Sequence, residues 1–278
     1  MKEHLKFNRL FRYDLANMVS ISRELFCICL IGSFAIIISY FIKVFQYLPG
    51  QITVSDITFG DLVTYFFSGS KKYIPDSGVI FDIPYVWMFI HLMNVLMTGG
   101  LCQKMLEQSY TELLASKSRR KWWISKVFSV CFGVAIVYAV TFLCVCFTIV
   151  IGVKVSFSSS PALDMVFFED AMNISSGEWW VIFFCIPFLT SLCLAVTQAV
   201  IALYFNGIVS DVVILGLMVT AIFYSSPYLV GNGLLPLHSN LLPYGGSSPA
   251  SVVLLTDTFL VVVSFFIGLH KVHKADII

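Results

Sequence analysis

Five basic residues, Lys117, Arg119, Arg120, Lys121 and Lys126, crowd into the short polar stretch Glu112–Lys126, and a long apolar run lies on each side of it. No other feature restricts the fold so severely. A Lys or Arg at mid-bilayer costs roughly 2.5–3.5 kcal/mol on insertion scales, so charge this dense cannot lie in hydrocarbon. The stretch therefore belongs at a membrane face, and its basicity points to the cytoplasmic one. Trp122 and Trp123 open the next apolar run. At headgroup depth an indole can bury its ring and keep its N–H wet, so an inner loop with an aromatic anchor is the plain reading.

Composition agrees. Hydrophobic residues make up 58% of the chain and charged residues 12%, with a mean hydropathy of +0.89. Soluble domains run near about 45–50% apolar and about 25% charged, so lipid must solvate much of this chain. The net charge of +1 says less than the placement of the charges.

Residues 1–22 read as neither a signal peptide nor a span. Leu5, Phe7, Leu10, Phe11, Leu15, Met18 and Val19 recur at helical spacing, with Lys2, Lys6, Arg9, Arg12 and Asp14 between them. That pattern predicts an amphipathic helix lying in the cytoplasmic interface. The remainder, 23–278, reads as one transmembrane domain. Spans of about twenty residues are expected near 25–45, 83–106, 122–153, 179–205, 208–224 and 249–269. Pro187 should kink the fourth. Outer segments follow at 46–82, 156–178 and 225–248. In the first, Asp56–Phe67 predicts a short helix capped by Ser55, too short and too polar to span and so placed on the outer surface. The third has no Lys, Arg, Asp or Glu and keeps several leucines. It can dip into the membrane if protein satisfies its backbone.

Orientation follows from where the basic residues fall. With both termini inside, thirteen of the 17 Lys and Arg lie on inner segments, and only Lys43, Lys71, Lys72 and Lys154 lie outside. Six spans with cytoplasmic termini satisfy the positive-inside rule.

Catalysis by this chain finds little support. No Gly-x-x-x-x-Gly-Lys-Ser/Thr string is present, so the chain lacks the loop that cradles nucleotide phosphates. The eight cysteines lie in or beside spans, and the pairs Cys27/Cys29 and Cys144/Cys146 should point about 200° apart on a helix, unable to share a metal. His91 lacks a His or acidic residue at helical spacing, and no Gly-x-Ser-x-Gly elbow occurs. Polar groups inside spans are the remaining candidates: Asp257, His91, Asn94 and Gln198. Each can line a path for a transported molecule, or simply hydrogen-bond one helix to another.

Taken in order, several stretches resemble the ABC-2 family of permeases, the membrane half of ATP-binding-cassette exporters. A basic amphipathic helix precedes the first span. The connection Tyr110–Lys126 closes on Ser118-Arg-Arg-Lys-Trp-Trp-Ile-Ser-Lys126. Ser226-Pro-Tyr-Leu-Val-Gly-Asn232 follows the fifth span, and the tail reads Lys274-Ala-Asp-Ile277. The likeness is strongest to small permeases of Gram-positive bacteria.

The resemblance implies an all-α integral membrane protein of ABC-2 (type V exporter-like) architecture in a bacterial plasma membrane. It implies a second permease copy, identical or not, and two copies of a separate ABC ATPase that hold ATP and Mg. This chain would carry no cofactor and bind no nucleic acid. Segment 103–120 would be the coupling element, with Glu107, Glu112, Leu113, Arg119 and Arg120 meeting the ATPase. The exported substrate would be hydrophobic or amphipathic: a peptide, lipid or drug. Two other classes stay open, a membrane immunity or scaffold protein that binds a toxic peptide without pumping it, and a membrane-embedded enzyme.

Overall fold

A single unbroken helix, α1 (Phe7–Tyr47, 41 residues), replaces the two segments expected at the start of the chain. No Gly or Pro interrupts the sequence between 7 and 31, so nothing breaks the hydrogen-bond ladder where a boundary was expected near 22–25. At about 1.5 Å per residue, α1 is roughly 60 Å long, about twice the hydrocarbon thickness of a bilayer. The computed structural model describes residues 7–74, 81, 83–116, 118–157, 160, 176–242 and 248–274, with backbone alone at 108–111, 113–116 and 176.

After a 3₁₀ turn at Val54–Asp56 comes α2 (Phe59–Phe67), capped by Thr58 rather than Ser55. The Thr58 hydroxyl accepts from the Asp61 amide at 3.1 Å, and the Asp61 carboxylate accepts from the Thr58 amide at 2.7 Å. All nine residues of α2 are buried, which corrects its expected place on the outer surface. Phe59, Leu62, Val63, Phe66 and Phe67 form one apolar stripe, and the polar groups of Asp61 and Thr64 are met by the Ser160 amide at 2.6 Å and the Trp179 indole N–H at 3.1 Å, so the helix can go inside.

The long helices follow: α3 (Tyr85–Ser116), α4 (Arg119–Phe147), α5 (Gly177–Tyr204), α6 (Gly207–Phe223) and α7 (Ala250–Lys274). Within α5, Val181–Cys185 forms a π-turn just before Pro187. The ring removes one N–H and clashes with the carbonyl four residues back, and the wider turn absorbs the misfit. By length and composition, five helices can cross a membrane: α1, α3 as far as Glu107, α4 with its extension to Ile151, α5 and α7. The expected sixth span is α6, apolar but only 17 residues long. The described residues contain no strand, only the isolated bridges Thr58–Lys154 and Ser239–Ser248.

Packing is concentric. Helices α3, α4 and α5 pack on one another, α1 fills the groove of α3 and α4, α6 that of α3 and α5, and α7 that of α4 and α5. About 61% of the apolar window of α3 is buried, against 22% for α1 and for α7. The outer helices expose Ile31, Ile38, Leu255 and Phe259, an apolar surface that suits hydrocarbon and not water. All eight cysteines are free thiols. Cys27 is exposed and Cys29 buried, Cys144 buried and Cys146 exposed, the opposed faces that their spacing predicts.

Candidate functional site

The segment expected to couple the chain to a partner is the continuous end of α3, which runs to Ser116, and α4 begins at Arg119. Ser118 caps α4, its hydroxyl accepting from the Lys121 amide at 3.4 Å. At this end of the bundle two buried carboxylates share one buried ammonium. Lys126 Nζ lies 2.6 Å from Asp14 Oδ1 and also pairs with Glu112 Oε2. The Ser125 hydroxyl donates to Asp14, and Trp122 Nε1–H donates to Glu112 at 2.8 Å. Asp14, Glu112 and Lys126 are exposed by only 3%, 6% and 7%, which decides their role. Glu112, expected to face a partner, is spent inside the chain, clamping α1, α3 and α4 together.

The tryptophans are corrected in the same way. Trp122 and Trp123 are fully buried in protein, so their N–H groups meet protein acceptors and not water. Trp123 Nε1–H donates to the Phe265 carbonyl at 2.9 Å, and its ring lies flush on Gly268 of α7. A Cβ at Gly268 would fall 2.1 Å from Trp123 Cζ2. Arg119 Nη1 donates to the His273 carbonyl at the C-terminal end of α7, a cationic cap on orphan carbonyls. Glu107 and Arg120 remain on the surface with Lys121; Gln103 Nε2 donates to Glu107 at 3.1 Å. The Leu113 side chain, Lys117 and residues 275–278 lie outside the described residues.

Three of the four intramembrane candidates meet. His91 and Asn94 of α3 and Gln198 of α5 line one small cavity, closed by Met218 of α6 and Leu234. Gln198 Nε2 donates to the Val95 carbonyl at 3.0 Å and to Asp211 Oδ1 at 2.7 Å. Asp211, on α6, was not singled out from the sequence. It sits where Gly99 leaves room, since a Cβ at Gly99 would lie 2.2 Å from its carboxylate. A lone acid in the apolar run Ile208–Phe223 was the available signal. Asp257 stands apart from this cavity: the Thr190 hydroxyl of α5 donates to it, and Gly233 packs against both.

The opposite end is closed without ion pairs on the closing segment. After α6 the chain turns back through two 3₁₀ turns, Asn232–Leu234 and Pro236–His238, and residues 231–239 are all buried. Gly231, at φ 109°, takes the left-handed turn that starts the plug. Asn232 Nδ2 donates to the Tyr224 and Ser226 carbonyls, both at 3.0 Å, while its Oδ1 meets His238 Nδ1 at 2.9 Å. Trp87 Nε1–H of α3 donates to the Leu234 carbonyl at 2.5 Å, and the Leu237 amide donates to the Ser68 carbonyl at 3.3 Å. Protein groups thus satisfy this backbone, the condition that a re-entrant segment requires. Burial pushes the His238 imidazole down to about 4; the Lys72 charge adds to that, and a bond to the Lys71 carbonyl opposes it. In α2, burial holds the Asp61 carboxyl above its usual range despite the amide bonds from Ser160 and Thr58.

No family model matches the chain, and no curated protein or solved structure matches it. Among the described residues, no three His, Cys, Asp or Glu side chains gather as metal ligands.

Proposed function

We propose that this chain is the membrane-spanning permease subunit of an ABC-2-type exporter, driven by ATP hydrolysed on a separate subunit. One observation carries the reading: a single helix serves both ends of the protein and the cavity between them. Trp87 of α3 holds the plug, His91 and Asn94 line the cavity, and Glu112 anchors the inner clamp. From Trp87 to Glu112 the helix covers about 37 Å at about 1.5 Å per residue. A stiff rod of that kind passes a push at one end to the other, where a flexible loop would absorb it.

In this reading the partner ATPase docks on the surface groups of the inner end, Glu107, Arg120 and Lys121, while the buried Glu112 and the bond from Arg119 to α7 keep that end rigid. The spans, with α6 as a short sixth, carry both termini on the cytoplasmic face, and a second permease copy completes the pathway. ATP and Mg stay on the ATPase. The test is affinity isolation of the intact chain from its native membrane in mild detergent, followed by protein identification and an ATP hydrolysis assay. We expect an ABC ATPase in stoichiometric amount. A monodisperse chain recovered with no ATPase would remove the exporter reading and favour a non-pumping binding protein.

A further inference from the structure

The His91 cavity carries more than a packing defect would. His91 is 2% exposed and Asn94 6%, yet both ring nitrogens of His91 and Oδ1 of Asn94 find no hydrogen-bond partner within the protein. Leaving a buried polar atom unmet costs about 1–3 kcal/mol, so three of them on adjacent turns of one helix need an explanation. Thr98, Ser191 and Gln198 add polar groups around the same space, whose accessible volume is about 10 Å³. That is close to the minimum for one water, and a water can meet at most part of this demand. The remaining wall is apolar, and Leu234 of the plug lies across it.

Trp87 connects cavity and plug. It stands one helical turn from His91, with ring centroids 5.0 Å apart, and its N–H holds the Leu234 carbonyl. Withdrawal of residues 231–239 would remove Leu234 from the wall and extend the cavity toward the outer end. We propose that this cavity is a binding site for a small neutral hydrogen-bonding headgroup, a hydroxyl or amide, on an otherwise aliphatic ligand, and that the plug is its gate. A neutral imidazole offers one donor and one acceptor, and the Asn94 carbonyl offers an acceptor. That set suits a hydroxyl or amide, which both gives and takes a hydrogen bond. The apolar wall suits the chain attached to it. This deepens the exporter reading by naming a substrate class, and it rests on that reading only for transport, not for binding.

The experiment uses the purified full-length chain in lipid nanodiscs with two photoreactive probes, dodecanol and dodecane carrying the same diazirine tag. After illumination, the labelled residues are mapped by mass spectrometry. We expect the alcohol to label the α3, α5 and α6 segments around His91, Gln198 and Met218, and the alkane to label only lipid-facing residues. Asn94→Leu and His91→Phe should each lower labelling by the alcohol about tenfold, the scale of one buried hydrogen bond. If His91→Phe does not fold, Asn94→Leu alone decides. Trp87→Phe, which keeps an aromatic ring but trims it and removes the indole N–H, should raise labelling by loosening the gate. Equal labelling by both probes, or none at the cavity with the alcohol, overturns the site. Unchanged labelling in Trp87→Phe overturns the gate. None of these outcomes depends on the ATPase, so the exporter reading stands or falls separately, on its own isolation experiment.

Discussion

The two ends of this helix bundle are closed by opposite chemistry. At the charged end Lys126 sits between Asp14 and Glu112, charge against charge and out of water. At the opposite end Asn232 and Trp87 hold a plug through neutral hydrogen bonds to backbone carbonyls, and His238 braces the Asn232 side chain. A buried ion cluster adds little net stability, but removing one member strands the others at full desolvation cost. Neutral bonds are worth about 1 kcal/mol each and can be exchanged with water as they open. On the proposed exporter reading, the charged end stays together and transmits force, and the neutral end comes apart.

The sharpest way to break that contrast is Lys126→Met. It leaves two buried carboxylates with no cation, so we expect destabilisation of about 3–5 kcal/mol, read as loss of monodisperse protein in detergent. Asp14→Asn and Glu112→Gln added to Lys126→Met should recover most of it; no recovery would mean that the cluster is not a unit. Gly268→Ala comes next. Its Cβ would enter the Trp123 ring, and overpacking of this kind costs about 1–3 kcal/mol, which a thermal midpoint in mild detergent would register. On the other side, Trp87→Phe strands the Leu234 carbonyl and trims a fully buried ring; the lost bond alone is worth about 1–2 kcal/mol, felt as faster amide exchange in 231–239 with the charged end unchanged.

The most gradual effect is that of pH. His238 binds its proton less readily folded than unfolded, its value lowered from 6.5 to about 4. The unfolded segment holds more protons in that window, so the stability that His238 contributes is full above about 6.5 and is lost as pH falls toward about 4. Amide exchange in 231–239, corrected for intrinsic rates, should accelerate as pH falls through that range, and His238→Gln should flatten the response.

Much of the helical frame was legible. Apolar runs locate five helices long enough to cross a membrane, Pro187 marks the distortion in α5, and paired cysteines two residues apart part to opposite faces. The charged end was misread for a physical reason. A tryptophan pair beside lysines and arginines suits a headgroup layer and a protein interior equally well. Only distant partners decide: Phe265 and Gly268 for Trp123, and Asp14 for Lys126, 112 residues away. Asp211 was missed for the same reason, since Gln198 and Gly99, which accommodate it, belong to other helices. The boundary expected inside α1 was drawn from a change in polarity, although polarity alone does not interrupt a backbone ladder.

The central claim is that force enters at the charged end and reaches the neutral one. Its most direct test compares one variant at each end, after affinity isolation from the native membrane. Glu107→Lys combined with Arg120→Glu exchanges two exposed charges while keeping the inner end's net charge, and so the signal for topology. The account predicts that this exchange strips the ABC ATPase from an otherwise intact chain, while Trp87→Phe retains it. An ATPase held equally well after the charge exchange, or lost with Trp87→Phe instead, would contradict the account.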